Sequence, residues 1–567
     1  MLMTFAQEEF HRQCFATPRE NRAMLVVPPM EEAGILAAEN ALLRRTTNYS
    51  LQGRSLTELS RQARAELLVA ARTWTAAYRE IDMPSLDSER LIFLAGHQPE
   101  LFHPGVWFKN FALGALARQH GAAAVNLVID SDTMKSTALP TPGGSLDDPR
   151  RESVLFDRPD GRLPFEERGI LDANGFASFG RRVAQRIAPL VPDPLIQRFW
   201  PMVLERARHV DRLGYCLAQA RHQLEGQWGL QTLELPQSVV CDSEPFHWFI
   251  VHLIANLDRF RDCYNQAVQE YRRAHRIRNA VHPVPDLIAE GSWLEAPLWI
   301  WTAEQPQRRR VFVCRRGREF LVSDRAGQEL RLTLTVDGDA TDAVGRLVAW
   351  SRRGTKIRSR ALITTLWARL ALSDLFMHGI GGAKYDRVTD RLIETFFGLA
   401  PPSIMVLSAT LHLPICGAGV SPAPQGCNYS HSVLKTGRIE YLRNIRHALR
   451  ALSYHPETYL HANQLLEGAT PPGARALIDE KRRWIGMAVT PENAYLRWNS
   501  LRRINNELQP WVAQRRQQLL KLQSQTQQEL RHEKVLCSRE YGFCLYPESY
   551  LKDFLQRATS QERVKML

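Results

Sequence analysis

The sequence predicts an α/β protein with a parallel-sheet core, a small antiparallel β insertion and a C-terminal helical or coiled-coil arm. Three observations carry that prediction. Leu91-Ile92-Phe93-Leu94-Ala95 is an apolar run ended by Gly96, Val106 to Gln119 has helical spacing, and Ala122 to Ile129 is a second mostly apolar run; together they make a βαβ unit. Between Trp293 and Val336, short apolar or alternating runs such as Arg310-Val311-Phe312-Val313 and Glu319-Phe320-Leu321-Val322 are separated by turn residues. From Ala494 to Glu533, Leu501, Ile504, Leu508, Trp511, Leu519, Leu522 and Leu530 recur at helical-seam spacing in a Gln- and Arg-rich background, with Pro510 expected to kink the seam.

In chain order, residues 1–90 read as an N-terminal helical region, because apolar residues recur every three or four positions in Glu31 to Leu43 and Ser55 to Ile81. The core is expected over 91–430. Within it, 133–165 is rich in Pro, Gly and Asp and reads as a loop or lid, 176–278 as a helical segment and 293–336 as the β insertion. A helix from Arg360 to Phe376 ends in a Gly-rich turn, a second helix runs from Tyr385 to Phe397, and Ile404 to Leu407 makes a third buried strand. Residues 431–567 form the helical arm.

The 567 residues carry 73 Lys and Arg against 60 Asp and Glu, a net charge of +13. From His431 to Leu567 there are 22 basic and 13 acidic residues, so +9 of the +13 lies in the arm and the first 430 residues carry +4. The basic residues there are dispersed among acidic ones and Gln, the pattern of a solvated helical face, which argues against nucleic acid as partner. The longest apolar runs are far too short to span a bilayer, and the first twenty residues resemble neither a signal nor a transit peptide, so the expectation is a cytoplasmic protein with no membrane partner. Nine scattered Cys without a C-x-x-C pair fit a reducing compartment.

Four motifs could carry chemistry. In Gly96-His97-Gln98-Pro99-Glu100-Leu101-Phe102, followed by Lys109, a glycine ends a strand where backbone N–H groups, His97 and Lys109 could meet a phosphate; the same residues also suit a tight turn packing Phe and His. Asp130-Ser131-Asp132 ends the next strand, where two carboxylates could bind Mg²⁺, hold a ribose or amine, or act as a base, or simply cap a turn. His378-Gly379-Ile380-Gly381-Gly382-Ala383-Lys384-Tyr385 could accept an anion at a helix start, or end the preceding helix as a C-cap. His412, Cys416, Cys427 and His431 have spacing that could serve zinc but lack a C-x₂₋₄-C core, so no metal is placed in the site. The candidate catalytic residues are His97, Asp130 and Asp132. The candidate substrate- or nucleotide-binding residues are Gly96, Gln98, Lys109, Gly379, Gly381, Lys384 and Tyr385.

Taken in order, these pieces resemble the bacillithiol biosynthesis cysteine-adding enzyme family. Its G-Q-Q…L-F…G-P stretch with a following Lys is similar to Gly96-His97-Gln98…Leu101-Phe102…Lys109, its acidic E-D-H-D strand end to Asp130-Ser131-Asp132, and its Gly-Gly-Pro-Gly…Tyr segment to Gly379, Gly381 and Tyr385. The resemblance spans residues 90–530. It implies a Rossmann-like core of the nucleotidyltransferase type, a helical arm that mediates homodimerisation, and a ligase- or transferase-type reaction joining cysteine or a similar amino acid to an amino-sugar acceptor, glucosaminyl malate; ATP or ADP would suit the nucleotide or phosphate site that the motifs suggest in the core. His97 stands where the family has Gln, the acidic quartet is reduced, and Ile380 replaces a proline, so the fold carries over better than the substrate. The alternative is a non-catalytic interaction protein whose basic arm binds nucleic acid or a partner helix.

Overall fold

The computed structural model describes residues 15–81, 89–159, 161, 163–334, 338–415, 431–460 and 472–560, with the backbone alone for 431–436. They form two compact units, one of residues 15–143, 151–415 and 539–560 and the other of residues 144–150 and 431–538.

The first unit is built on a six-stranded sheet in the order Met24–Val27, Ile404–Ala409, Leu375–His378, Ile92–His97, Ala123–Val128 and Leu233–Pro236. The last five strands are parallel, and Met24–Val27 is an antiparallel edge. Counted along the chain, the parallel strands lie as fifth, fourth, first, second and third. Their order therefore reverses between Leu375–His378 and Ile92–His97.

Side chains alternate across this sheet, and both faces are covered. Ile92 and Leu94 pack in one apolar cluster with Leu67, Phe249 and Trp367, while Phe93 and Ala95 pack in the other with Trp107, Phe108 and Phe199. Burial on both faces is why these strands read as continuous apolar runs. The helix Pro104–Gln119 follows the first parallel strand, with Pro104 in its first turn and the His103 ring accepting from the Gly105 N–H at 3.1 Å. Asp374, wholly buried before Leu375, accepts from Arg44 Nε (3.1 Å), Arg64 Nη2 (2.9 Å) and the Ile92 N–H (2.8 Å). Those arginines lie on Ala33–Thr46 and Leu56–Ala76, helices which the sequence set apart as an N-terminal region and which belong to the same unit as the sheet.

A second sheet is antiparallel throughout, in the order Glu329–Thr333, Glu319–Ser323, Arg309–Arg316, Trp293–Trp301 and Lys356–Ser359, with Ala289–Glu290 added beside Trp293–Trp301. It lies where a β insertion was expected and gains Lys356–Ser359 from beyond it.

Elsewhere the structure departs from the expectation. Leu233–Pro236, inside the segment read as helical, is a central-sheet strand, and Met24–Val27 is a strand in the region read as helical. The predicted helix over Arg360 to Phe376 covers Ala361–Trp367, continues as a π-helix to Leu372, and gives way to the strand Leu375–His378. Residues 133–165, read as a loop, contain a two-stranded sheet of Ala138–Gly144 and Pro149–Leu155. The missed strands of this sheet have four residues each, too few to establish a period.

The second unit consists mainly of the helices His431–Tyr454, Pro472–Gly486, Ala494–Glu507 and Gln509–Leu536. Ile445, Leu452, Ile478, Ile504, Leu508, Val512 and Leu519 form its interior. Arg438 pairs with Glu533 at 3.3 Å and Arg516 Nη2 donates to Ser453 Oγ at 2.8 Å, so the first and last helices run antiparallel. The helix breaks at Leu508, and Pro510 stands in the first turn of the next helix instead of kinking one continuous seam. Residues 539–560, expected in the arm, belong to the first unit, where Leu551 and Phe554 join the cluster around Trp107. Among the described residues no helix is long and apolar enough to cross a membrane.

Candidate functional site

Parallel pairing aligns the ends of three strands. Met377 pairs with Ala95, which places His378 and Gly379 alongside Gly96 and His97, while His97 pairs with Val128, two residues before Asp130. The Gly96, Asp130 and Gly379 motifs therefore meet at the carboxyl edge of the sheet, at and beside the position where strand order reverses. Ligands of open α/β sheets bind at such a reversal because the loops on its two sides diverge and leave a crevice.

Two of the expected cations do not serve as surface charges there. Lys109 is 3% exposed, and its Nζ donates to the Gly96 carbonyl. Burial, assisted by Arg221, lowers its pKa from the usual 10.5 to about 7. The His97 ring contacts Phe102 edge-on with centroids 5.0 Å apart, and its Nδ1 lies 3.0 Å from the Gln98 carbonyl. Burial, then Lys109, lowers the His97 pKa to about 3, so its imidazole is neutral at physiological pH. The sequence reading had both groups neutralising phosphate; in the structure Lys109 braces the Gly96 loop from below.

The two aspartates have separate surroundings. Asp130 is completely buried and accepts from Tyr215 Oη (2.7 Å), the Ser238 N–H (3.0 Å) and Ser238 Oγ. Burial and the neighbouring Glu166 raise its pKa to about 6. Burial would raise the Glu166 carboxyl also, but Arg358 and Lys356 hold it low. Asp130 thus ties the strand end to the helix Leu213–Gln227 and to the short helix Gln237–Cys241 that follows Leu233–Pro236. Asp132 keeps 30% of its side-chain surface, accepts from Gln98 Nε2 (2.9 Å) and Arg308 Nη1 (3.1 Å), and is the more open of the two aspartates.

The Gly379 motif starts a helix. Gly379 is the N-cap of Ile380–Leu392, with no side chain capping it, so it does not terminate the helix before it. Among the described residues, a methyl group at Gly379 or Gly381 would meet nothing within 4 Å, which leaves the first turn open on that side. Helix N-termini of this kind attract anions through unpaired N–H groups and the helix dipole. Below it, His378 Nε2 lies 3.1 Å from Asp386 Oδ2, and Arg369 Nη1 donates to the same oxygen at 2.7 Å. Burial works against ionisation of Asp386, yet Arg369 and His378 hold its carboxyl well below the usual range. Lys384 is exposed, whereas Tyr385 is half-buried, its hydroxyl pKa raised by burial and by the Asp386 and Asp132 carboxylates.

Three groups at this edge escaped the sequence reading. Glu100 lies inside the first motif, and burial raises its carboxyl pKa, with Lys135 opposing and Asp132 adding to the shift. It can exchange a proton nearer neutrality than an ordinary carboxylate. Arg308 arrives from the loop between Trp293–Trp301 and Arg309–Arg316, over the Trp299 ring at 4.9 Å, and nothing in the sequence links it to Asp132. Tyr215 has a polar tip that packing alone directs to Asp130.

Cys416, Cys427 and the His431 side chain lie outside the described residues. Among the described residues no three His, Cys, Asp or Glu side chains are arranged to hold a metal. Clefts of about 710 Å³, by Arg79 and Gln223, and about 530 Å³, by Leu155 and Arg182, are lined by other residues than this edge. The chain matches no protein-family model and no curated protein.

Proposed function

We propose that the first unit is a Rossmann-like enzyme core of the nucleotidyltransferase type, which binds a nucleotide or other phosphorylated small molecule and joins an amine- or thiol-bearing amino acid to a second substrate. The convergence of the Gly96, Asp130 and Gly379 motifs at the reversal of strand order is the observation that supports this reading. The open first turn of Ile380–Leu392, with Lys384 beside it, would take the anionic group of ATP, ADP or a phosphorylated substrate. Asp132, oriented by Gln98 and Arg308, would hold the amine, and Glu100 would remove a proton from the attacking amine or thiol. Lys109 and Asp130 would keep their loops in place without touching substrate.

This is the ligase- or transferase-type chemistry that the resemblance to the cysteine-adding family implies, with cysteine as the first amino acid to try and a homodimer as the assembly. The nucleic-acid alternative draws less support. Arg438, Lys481 and Arg503 are paired with Glu529 and Glu533, with Glu457, and with Glu480 and Glu507, which interrupts the basic stripe that a phosphate backbone would need.

Isothermal titration of the purified protein with ATP, ADP, cysteine and glucosaminyl malate tests the reading. Binding of at least one nucleotide or substrate is expected, weakened about tenfold or more by Asp132→Asn and by Gly379→Ala. Absence of binding by all four, or binding indifferent to both substitutions, refutes it.

A further inference from the structure

The end of the second unit where Pro472–Gly486 turns into Ala494–Glu507 exposes an unusual set of side chains. Ile485 (49%), Met487 (44%), Val489 (62%), Tyr495 (76%), Leu496 (58%) and Trp498 (55%) all face solvent within fourteen residues. None of them belongs to the apolar interior of the unit, which is made by Ile478, Ile504, Leu508 and their neighbours.

The turn is fixed by hydrogen bonds. Asn493 Nδ2 donates to the Ala488 carbonyl at 2.9 Å, the Thr490 N–H donates to Asn493 Oδ1 at 2.9 Å, and Arg497 Nε donates to the Trp484 carbonyl at 2.7 Å. Its backbone is thus held with the apolar groups outward. Every residue from 485 to 492 is exposed, so the surface is a protruding tip and not a groove. The Tyr495 and Trp498 rings lie nearly parallel with centroids 6.5 Å apart, and Arg502 stands over Trp498 at 5.3 Å.

Charge indicates the occupant. Arg482 is paired with Asp479 at 3.4 Å, while Arg483, Arg497 and Arg502 outnumber Glu492 around the tip, and the arm containing it supplies most of the net positive charge of the protein. A convex apolar tip with Tyr and Trp, collared by arginines, matches a bilayer interface. There aromatic rings settle at headgroup level, apolar side chains enter the acyl boundary, and basic residues meet anionic headgroups. We propose that this tip docks on an anionic lipid surface, inserting Met487, Val489, Tyr495, Leu496 and Trp498 while Arg483 and Arg502 contact the headgroups. The contact is peripheral and places no part of the chain across the bilayer.

Co-sedimentation of the full chain with phosphatidylcholine vesicles, with and without roughly 30% phosphatidylglycerol, tests this. Binding to the anionic vesicles is expected, and Tyr495→Ser/Trp498→Ser should reduce it on the order of tenfold, with unchanged circular dichroism. Arg483→Gln/Arg502→Gln should weaken anionic binding most at low salt. The proposal fails if the anionic vesicles do not bind the protein or if the aromatic variant binds as well as the wild type. It fails equally if analytical ultracentrifugation shows self-association that the aromatic variant abolishes while no vesicle is bound, because a second copy would then cover the tip.

Discussion

Replacing Lys109 by Met should remove a pH dependence of stability that the buried ammonium imposes on the fold. Lys109 is 3% exposed and its pKa in the fold is about 7, lowered from 10.5 by burial and then by Arg221. In the unfolded chain it titrates near the ordinary value. Below pH 7 both states carry the charge and the fold bears the whole cost of burying it. Between pH 7 and 10.5 the unfolded chain holds a proton that the fold has released, so this residue makes stability rise with pH. The full window of 3.5 units corresponds to about 5 kcal/mol, of which about 2 kcal/mol falls between pH 7 and pH 9, the site being half-titrated at the start. Met has similar length, fills the same space and does not titrate, so urea unfolding of both proteins at pH 7, 8 and 9 isolates the effect. The wild type should gain about 2 kcal/mol on the variant across that range. A difference that stays flat within ~0.5 kcal/mol, or that runs the other way, refutes a buried and largely uncompensated Lys109.

Other perturbations have equally definite outcomes. Asp374→Asn leaves the Arg44 and Arg64 guanidiniums without their buried countercharge and should cost about 3–5 kcal/mol in urea unfolding. Gly105→Ala would drive a methyl group into the Ala409 carbonyl oxygen, forcing the helix Pro104–Gln119 off the strand Ile404–Ala409; a loss of about 1–3 kcal/mol and a lowered Tm are expected. Gly381→Ala meets no neighbour within 4 Å among the described residues and should stabilise the helix by about 0.5 kcal/mol, while weakening ADP or phosphate binding at its open first turn in calorimetry. A stabilised variant with undiminished affinity would show that the anion lies elsewhere.

Legibility in the sequence followed local physics. Ile92–His97, Pro104–Gln119 and Ala123–Val128 were readable because each has enough apolar residues to set a pattern and because Gly96 and Pro104 punctuate it. The antiparallel runs from Trp293 onward were readable for the same reason. Leu233–Pro236 and Leu375–His378 were not, since four residues between helices show no period and become strands only where a neighbour offers its backbone. The apolar tip escaped a search for long apolar runs because its exposed residues are interleaved with polar ones and collected from the ends of two helices. At the candidate site, Gly96, Asp132 and Gly379 were found from residue type and spacing, whereas Arg308, Tyr215 and the raised carboxyl of Glu100 depend on distant partners and on burial.

The sequence by itself determined the local patterns of the candidate site: a glycine ending a strand, a pair of aspartates ending the next, and a glycine-rich start of a helix are written in adjacent residues. The tertiary structure alone decided their division of labour. Parallel register brings the three strand ends together across more than 280 residues of chain, from Gly96 to Gly379. Burial then neutralises His97, lowers the Lys109 pKa and encloses Asp130, while Asp132, two residues further on, stays open to solvent. Desolvation and long-range pairing depend on what surrounds a residue in space, which neighbours in sequence do not encode.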